Sequence, residues 1–80
     1  ISDEYKEIIQ DFSDYIENYG INIQFKENDS LDGIKRSCKN AFRRFAFRYH
    51  PDTSPINDKA RNQEIFKGVG NYYVEIDKMK

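Results

Sequence analysis

His50, Pro51 and Asp52 follow directly on a basic run that carries an apolar stripe, Ile34 to Tyr49. A histidine two residues from a carboxylate invites a proton-transfer reading, because imidazole titrates near neutrality and a carboxylate can orient it. That chemistry also needs a nucleophile in reach and a substrate pocket, and the sequence offers neither at a placeable position. A metal reading fails for a similar reason: His50 is the single histidine, and no convincing ligand set accompanies it. The tripeptide can present a polar, charged surface rigidly, since Pro51 fixes the backbone, Asp52 offers a charged acceptor and His50 a polar ring. It can also be a helix stop, since Pro51 turns the preceding residue away from helical geometry and a histidine suits a helix's negative end.

Either way, helices must flank it. Leu31, Ile34, Cys38, Ala41, Phe42, Phe45 and Tyr49 mark one face of a helix over 31–49, by their three- and four-residue steps. Asn28, Asp29 and Ser30 form a turn-and-cap cluster ahead of it, and Gly33 weakens its first turn by about 1 kcal/mol relative to Ala. Past a loop at 50–57, Asn57 or Asp58 can cap a further helix over about 58–78, with Ile65, Phe66, Val69, Tyr72, Tyr73 and Ile76 at helical spacing. Gly68 and Gly70 cost that helix roughly 2 kcal/mol of intrinsic propensity, so it must lean on packing or bend there. Two stripes of similar length joined by a short loop predict an antiparallel hairpin.

Residues 2–19 predict a helix lying across the hairpin. Its stripe is Tyr5, Ile8, Ile9, Phe12, Ile16 and Tyr19, with Ser2 or Asp3 as the cap and Gly20 as the stop. Ile21, Ile23 and Phe25 then alternate with polar residues but have no second strand to pair with. They are expected to be an extended connector that pins its apolar side chains to the core. The predicted class is all-α, in a single domain over 1–80. Within it, 1–30 supply the N-terminal helix and connector, and 31–78 the hairpin.

Composition narrows the function classes. The 80 residues are 38 % hydrophobic and 34 % charged, which suits a small core under a strongly charged surface. No apolar run approaches the roughly 20 residues that span a bilayer. The single Cys38 excludes an internal disulfide and a cysteine-based metal cluster. It falls on the apolar side of its helix as a small buried hydrophobe, which fits a reducing intracellular compartment. The chain begins at Ile1, not Met, as expected of a fragment of a longer protein. Its net charge of −1 hides a sharp division. Residues 1–32 hold nine acids against two lysines, and residues 33–52 hold six basic residues against Asp52 alone. Such segregation creates a local field that attracts a partner.

Ala41-Phe-Arg-Arg-Phe-Ala-Phe-Arg-Tyr49 followed by His50-Pro51-Asp52 resembles the basic second helix and His-Pro-Asp loop of J-domains. These are the DnaJ-type modules of co-chaperones that act on heat-shock-70 (DnaK-type) chaperones. Ile65-Phe66-Lys67 and then Tyr73 are similar to the family's Lys-Phe-Lys and its later Tyr. The likeness covers about residues 34–76, and 39–52 form its specific centre. It implies that His50, Pro51 and Asp52, with Lys39, Arg43, Arg44 and Arg48, bind the chaperone. The loop would engage the chaperone's nucleotide-binding domain and linker and promote ATP hydrolysis there. The module itself would perform no chemistry and need no cofactor, since ATP and magnesium belong to the partner.

The departures from the family point to an atypical member. Asp14 to Gly20 only faintly echoes the family's Tyr-x-x-Leu-Gly, the second helix is extended by about a turn, and Gly68 and Gly70 stand where helix formers are usual. A Gly/Phe-rich segment and a cysteine-rich zinc module are missing from this chain. These differences admit an alternative, a J-like docking or scaffold module in a larger assembly that does not stimulate an ATPase. Client or assembly proteins would be bound through regions outside this chain.

The cations could also neutralise phosphates. A slightly acidic domain with no recognition motif or stacking platform argues against nucleic acid. Arg44 is expected nearer the seam between the hairpin helices, in a partly structural role. Ala41, Phe42, Phe45, Tyr49, Phe66, Tyr72 and Tyr73 are expected in the core, with Phe66 holding the hairpin together beside the loop. Phe47 lies off the stripe and either packs under the first helix or stays exposed. The acidic first helix either covers the hairpin or lies near the basic face and competes with an acidic partner. A monomer is the default expectation.

Overall fold

A computed structural model of the protein describes residues 2–25, 30–50 and 58–80. The described residues form three α-helices, α1 Asp3–Glu17, α2 Leu31–Tyr49 and α3 Lys59–Asp77, and no strand. The class is all-α. Each helix opens on a side-chain cap that satisfies an otherwise orphaned amide. Ser2 Oγ accepts from the Tyr5 N–H at 3.2 Å, Ser30 Oγ from Gly33 at 3.2 Å, and Asp58 Oδ1 from Arg61 at 3.1 Å. Asn28, Asp29 and Asn57, the other expected turn and cap residues, lie outside the described residues.

Helix α1 stops because Gly20 takes φ +85°, a conformation that side-chain-bearing residues rarely adopt. The Ile21 N–H then donates to Ile16 O at 3.1 Å and the Gly20 N–H to Glu17 O at 3.0 Å, the paired bonds of a Schellman cap. Ile16 and Ile21 are both buried and supply its usual apolar contact. The connector beyond pins Ile21 and, half-buried, Ile23, whereas Phe25 is exposed. Only part of the expected anchoring is therefore realised.

Six of the seven expected core residues (Ala41, Phe42, Phe45, Tyr49, Phe66 and Tyr73) are buried or packed against the buried cluster. Phe42 stacks on Tyr73 at 4.3 Å and meets Phe66 at 5.7 Å, which joins α2 to α3. Phe45 lies 6.2 Å from Tyr15, 5.7 Å from Tyr19 and 5.0 Å from Tyr49, so α1 reaches α2 through its tyrosines. Tyr72 is a correction: it is 38 % exposed, and its ring lies tilted against Tyr15 with centroids 5.2 Å apart. Position 72 sits at the margin of a stripe that Phe66, Val69 and Tyr73 already fill.

Helix α3 runs unbroken through both glycines. Gly68 is where Tyr15 arrives: its hydroxyl donates to Ile65 O at 2.9 Å. A Cβ at Gly68 would collide with the Tyr15 hydroxyl oxygen and stand 2.7 Å from Cζ. Gly70 faces open space. The helix thus leans on packing at the first glycine and gains no contact from the second. Farther along, Lys35 donates to the carbonyls of Asp77 at 3.3 Å and Met79 at 2.8 Å. A cation there satisfies the last acceptors of α3 and complements its negative end. Lys35 is accordingly a structural member of the basic run.

Burial pushes the Cys38 thiol from 9.0 up to about 11. The Tyr15 hydroxyl rises from 10.0 to about 12, through burial first and then the neighbouring Tyr19 and Tyr72. Both groups are neutral when protonated, and the fold favours that neutral form. Their contribution to stability is complete below pH 9.0 for Cys38 and 10.0 for Tyr15, and is lost as pH rises through about 11 and about 12. Thermal melts across this range should show the midpoint falling, with Cys38→Ala removing the earlier part of the fall and Tyr15→Phe the later. A decline that neither substitution alters would contradict the assignment.

Candidate functional site

Helix α2 delivers His50 at its last turn. The His50 N–H donates to Ala46 O at 2.7 Å, and the residue itself is extended at φ −62° and ψ 130°, as a residue before proline must be. Its half-buried ring meets Phe66 edge-on, with centroids 5.0 Å apart. Phe66, against both Phe42 and His50, therefore couples the end of α2 to α3, as its sequence position suggested. Pro51 and Asp52 lie outside the described residues.

The cations do not share one face. Lys39 and Arg43 are one turn apart and lie on the side of α2 that leads to His50. Arg43 is near enough to Tyr73 to oppose the upward shift that burial, and then Asp77 and Cys38, impose on its hydroxyl. Arg44 and Arg48 stand five positions farther along than Lys39 and Arg43, which turns them roughly 140° about the helix axis. They face the connector. Arg44 Nη2 donates to Asn22 O at 3.2 Å, and Arg48 Nη1 stands 3.6 Å from where a Cβ on Gly20 would be. The Arg48 guanidinium also lies 5.7 Å from the Tyr49 ring centroid. The structural share of Arg44 is thus the α2–connector junction, not the seam between α2 and α3. All four cations are exposed. Phe47 projects between the two pairs and is 73 % exposed, which decides its open placement.

Helix α1 packs along α3. Among the described residues, Lys39, Arg43 and Arg44 make no ion pair with its acids. Its contacts are those of a cover. The sequence reading missed two features. An open groove of about 820 Å³ separates the connector from α2; no periodicity signals it, because it depends on how the connector returns along the helix. Asn62 is buried to 1 % exposure with its side chain hydrogen-bonded. It was legible in principle, standing three residues before Ile65 on the same stripe. Among the described residues no acid, histidine or cysteine cluster could hold a metal ion, and no helix is long and apolar enough to cross a membrane.

Comparison with known protein families, curated proteins and solved structures found no match.

Proposed function

We propose that this chain is a J-domain-type module that binds a heat-shock-70 (DnaK-type) chaperone and stimulates its ATPase. One observation carries the reading: Ala41 to Tyr49 forms the last turns of a basic helix that ends at His50, immediately before Pro51 and Asp52. The contacts of Lys35 with Asp77 and Met79, and of His50 with Phe66, support an antiparallel arrangement of α2 and α3. In this reading His50 and Asp52 meet the chaperone while Lys39 and Arg43, on the same side as His50, attract its acidic surface. Arg44 and Arg48 contribute to the long-range field from the other flank. The domain donates contacts and no reacting group, so ATP and magnesium act within the partner.

The test is single-turnover ATP hydrolysis by a DnaK-type chaperone with the domain added. Wild type should accelerate hydrolysis, and His50→Gln and Asp52→Asn should each abolish the acceleration at unchanged helical content. The long α1, with its own packing on α3, favours a second reading, a J-like docking or scaffold module. No stimulation of several such chaperones by the wild type would select that reading instead.

A further inference from the structure

Two outward stripes of opposite charge run along different helices. On α1, Glu7, Asp11 and Asp14 recur at steps of four and three, which keeps them within about 60° of one another around the axis. They stand nearly opposite the buried Ile9, Phe12 and Ile16, and all three are exposed. On α2, Arg36, Lys39 and Arg43 recur at steps of three and four, again within about 60° and again exposed. They stand nearly opposite the buried Cys38 and Phe45.

Neither stripe is satisfied within its own chain. Both helices pack on α3, and among the described residues the ion pair present joins Glu75 to Lys78, off both stripes. Of the six side chains only Asp14 has a hydrogen-bond partner there, accepting from Gln10 Nε2 at 2.8 Å. A net charge of −1 leaves little overall repulsion between copies. The stripes match in spacing as well as in sign. Read from its C-terminal end, α1 offers Asp14, Asp11 and Glu7 at steps of three and four, the order in which α2 offers Arg36, Lys39 and Arg43. Those steps advance about 4.5 and about 6 Å in either helix. An antiparallel approach therefore brings three opposite-charge pairs into register, and it opposes the two helix dipoles favourably.

We infer that the basic stripe of α2 is a docking surface for the acidic stripe of α1 on a second copy of this chain. Asp14 of one copy meets Arg36 of the other, Asp11 meets Lys39, and Glu7 meets Arg43. Exposed pairs contribute little each and are screened by salt, so the association is weak, reversible and salt-sensitive. It does not depend on the chaperone reading. Where both hold, a docked copy covers Lys39 and Arg43 and competes with the chaperone for them.

The test follows amide chemical shifts of the whole domain up to about 1 mM protein, where a dissociation constant as weak as about 1 mM is visible. At about 0.01 M salt the amides of residues 7–14 and 36–43 should shift with concentration. The shifts should largely vanish at about 0.15 M salt, where the screening length falls from about 30 to about 8 Å. Lys39→Glu with Arg43→Glu should weaken association about ten-fold or more, and so should Glu7→Lys with Asp11→Lys, by placing like charges together. All four substitutions in one chain exchange the signs at the contact, keep the net charge, and should restore association. Lys67→Glu, exposed on α3, should leave it nearly unchanged. The wild-type shifts carry the test if a variant fails to fold. The proposal is overturned by shifts that do not depend on concentration, by association that survives both paired reversals, or by an equal loss in Lys67→Glu. A folded fourfold variant that stays monomeric also overturns it. So does a monomeric wild type whose α2 amides shift with oligoglutamate, which would assign the stripe to a different acidic protein.

Discussion

Phe45→Ala should remove most of the stability of this domain. The Phe45 ring is fully buried and meets Tyr15, Tyr19 and Tyr49, so it is the place where α1 and α2 share a core. Truncating such a ring costs about 3–5 kcal/mol, from lost transfer energy and the cavity left behind. A chain of 80 residues has roughly 4–12 kcal/mol in total at ordinary values per residue. Urea denaturation followed by circular dichroism should therefore show a much lower midpoint, or a chain already partly unfolded without urea. Phe45→Leu keeps much of the volume and should cost about 1.5 kcal/mol. Phe47→Ala, two residues away but exposed, should stay within about 0.5 kcal/mol of wild type. Equal effects at 45 and 47 would refute the orientation of α2.

Gly68→Ala and Gly70→Ala should act in opposite directions, although both replace a helical glycine in the same element. At Gly70 the new methyl group meets nothing, so the helix gains up to about 1 kcal/mol of propensity. At Gly68 it meets the Tyr15 ring and hydroxyl. The ring must withdraw, at a cost of about 1–3 kcal/mol for overpacking. Its hydrogen bond to Ile65 O is lost as well, worth about 0.5–1.5 kcal/mol. The propensity gain offsets only part of this. A double-mutant cycle isolates the cause, because in a Tyr15→Leu background Gly68→Ala should become neutral or stabilising. Similar responses at the two glycines, or a Gly68 penalty that persists without Tyr15, would show that the close approach is not what the glycine serves.

The helices and their ends were readable because their causes are local. Ser2, Ser30 and Asp58 cap at the positions their types suggested, since a side-chain oxygen reaches an amide only three residues away. Gly20 stops α1 through its own backbone freedom, and the residue before Pro51 ends α2 for an equally local reason. Ala41, Phe42 and Phe45 were assigned inward from periodicity alone, because one face of a helix must be buried. Asn62 and Met79, both buried, were missed although they continue the stripe of Ile65 and Ile76. Asn62 is polar and carries no apolar signal of its own, and Met79, though apolar, lies past the end of the periodic stripe.

The roles within the basic run could not be read in this way. Its charges were plain in the sequence, but their division depends on which neighbour occupies each side of α2. Lys35 is drawn to the end of α3, Arg44 and Arg48 to the connector, and Lys39 and Arg43 lie toward His50. The likeness that suggests a chaperone partner resides in consecutive residues, 39–52, and needed no coordinates to be noticed. The set of helices, their caps and the inward face of each follow from contacts spanning a few residues, and so are legible residue by residue. The purpose of Gly68, the separation of the cations and the groove beside Phe47 emerge only from the folded arrangement. Each of these depends on groups far apart in the chain, brought together by the packing of three helices.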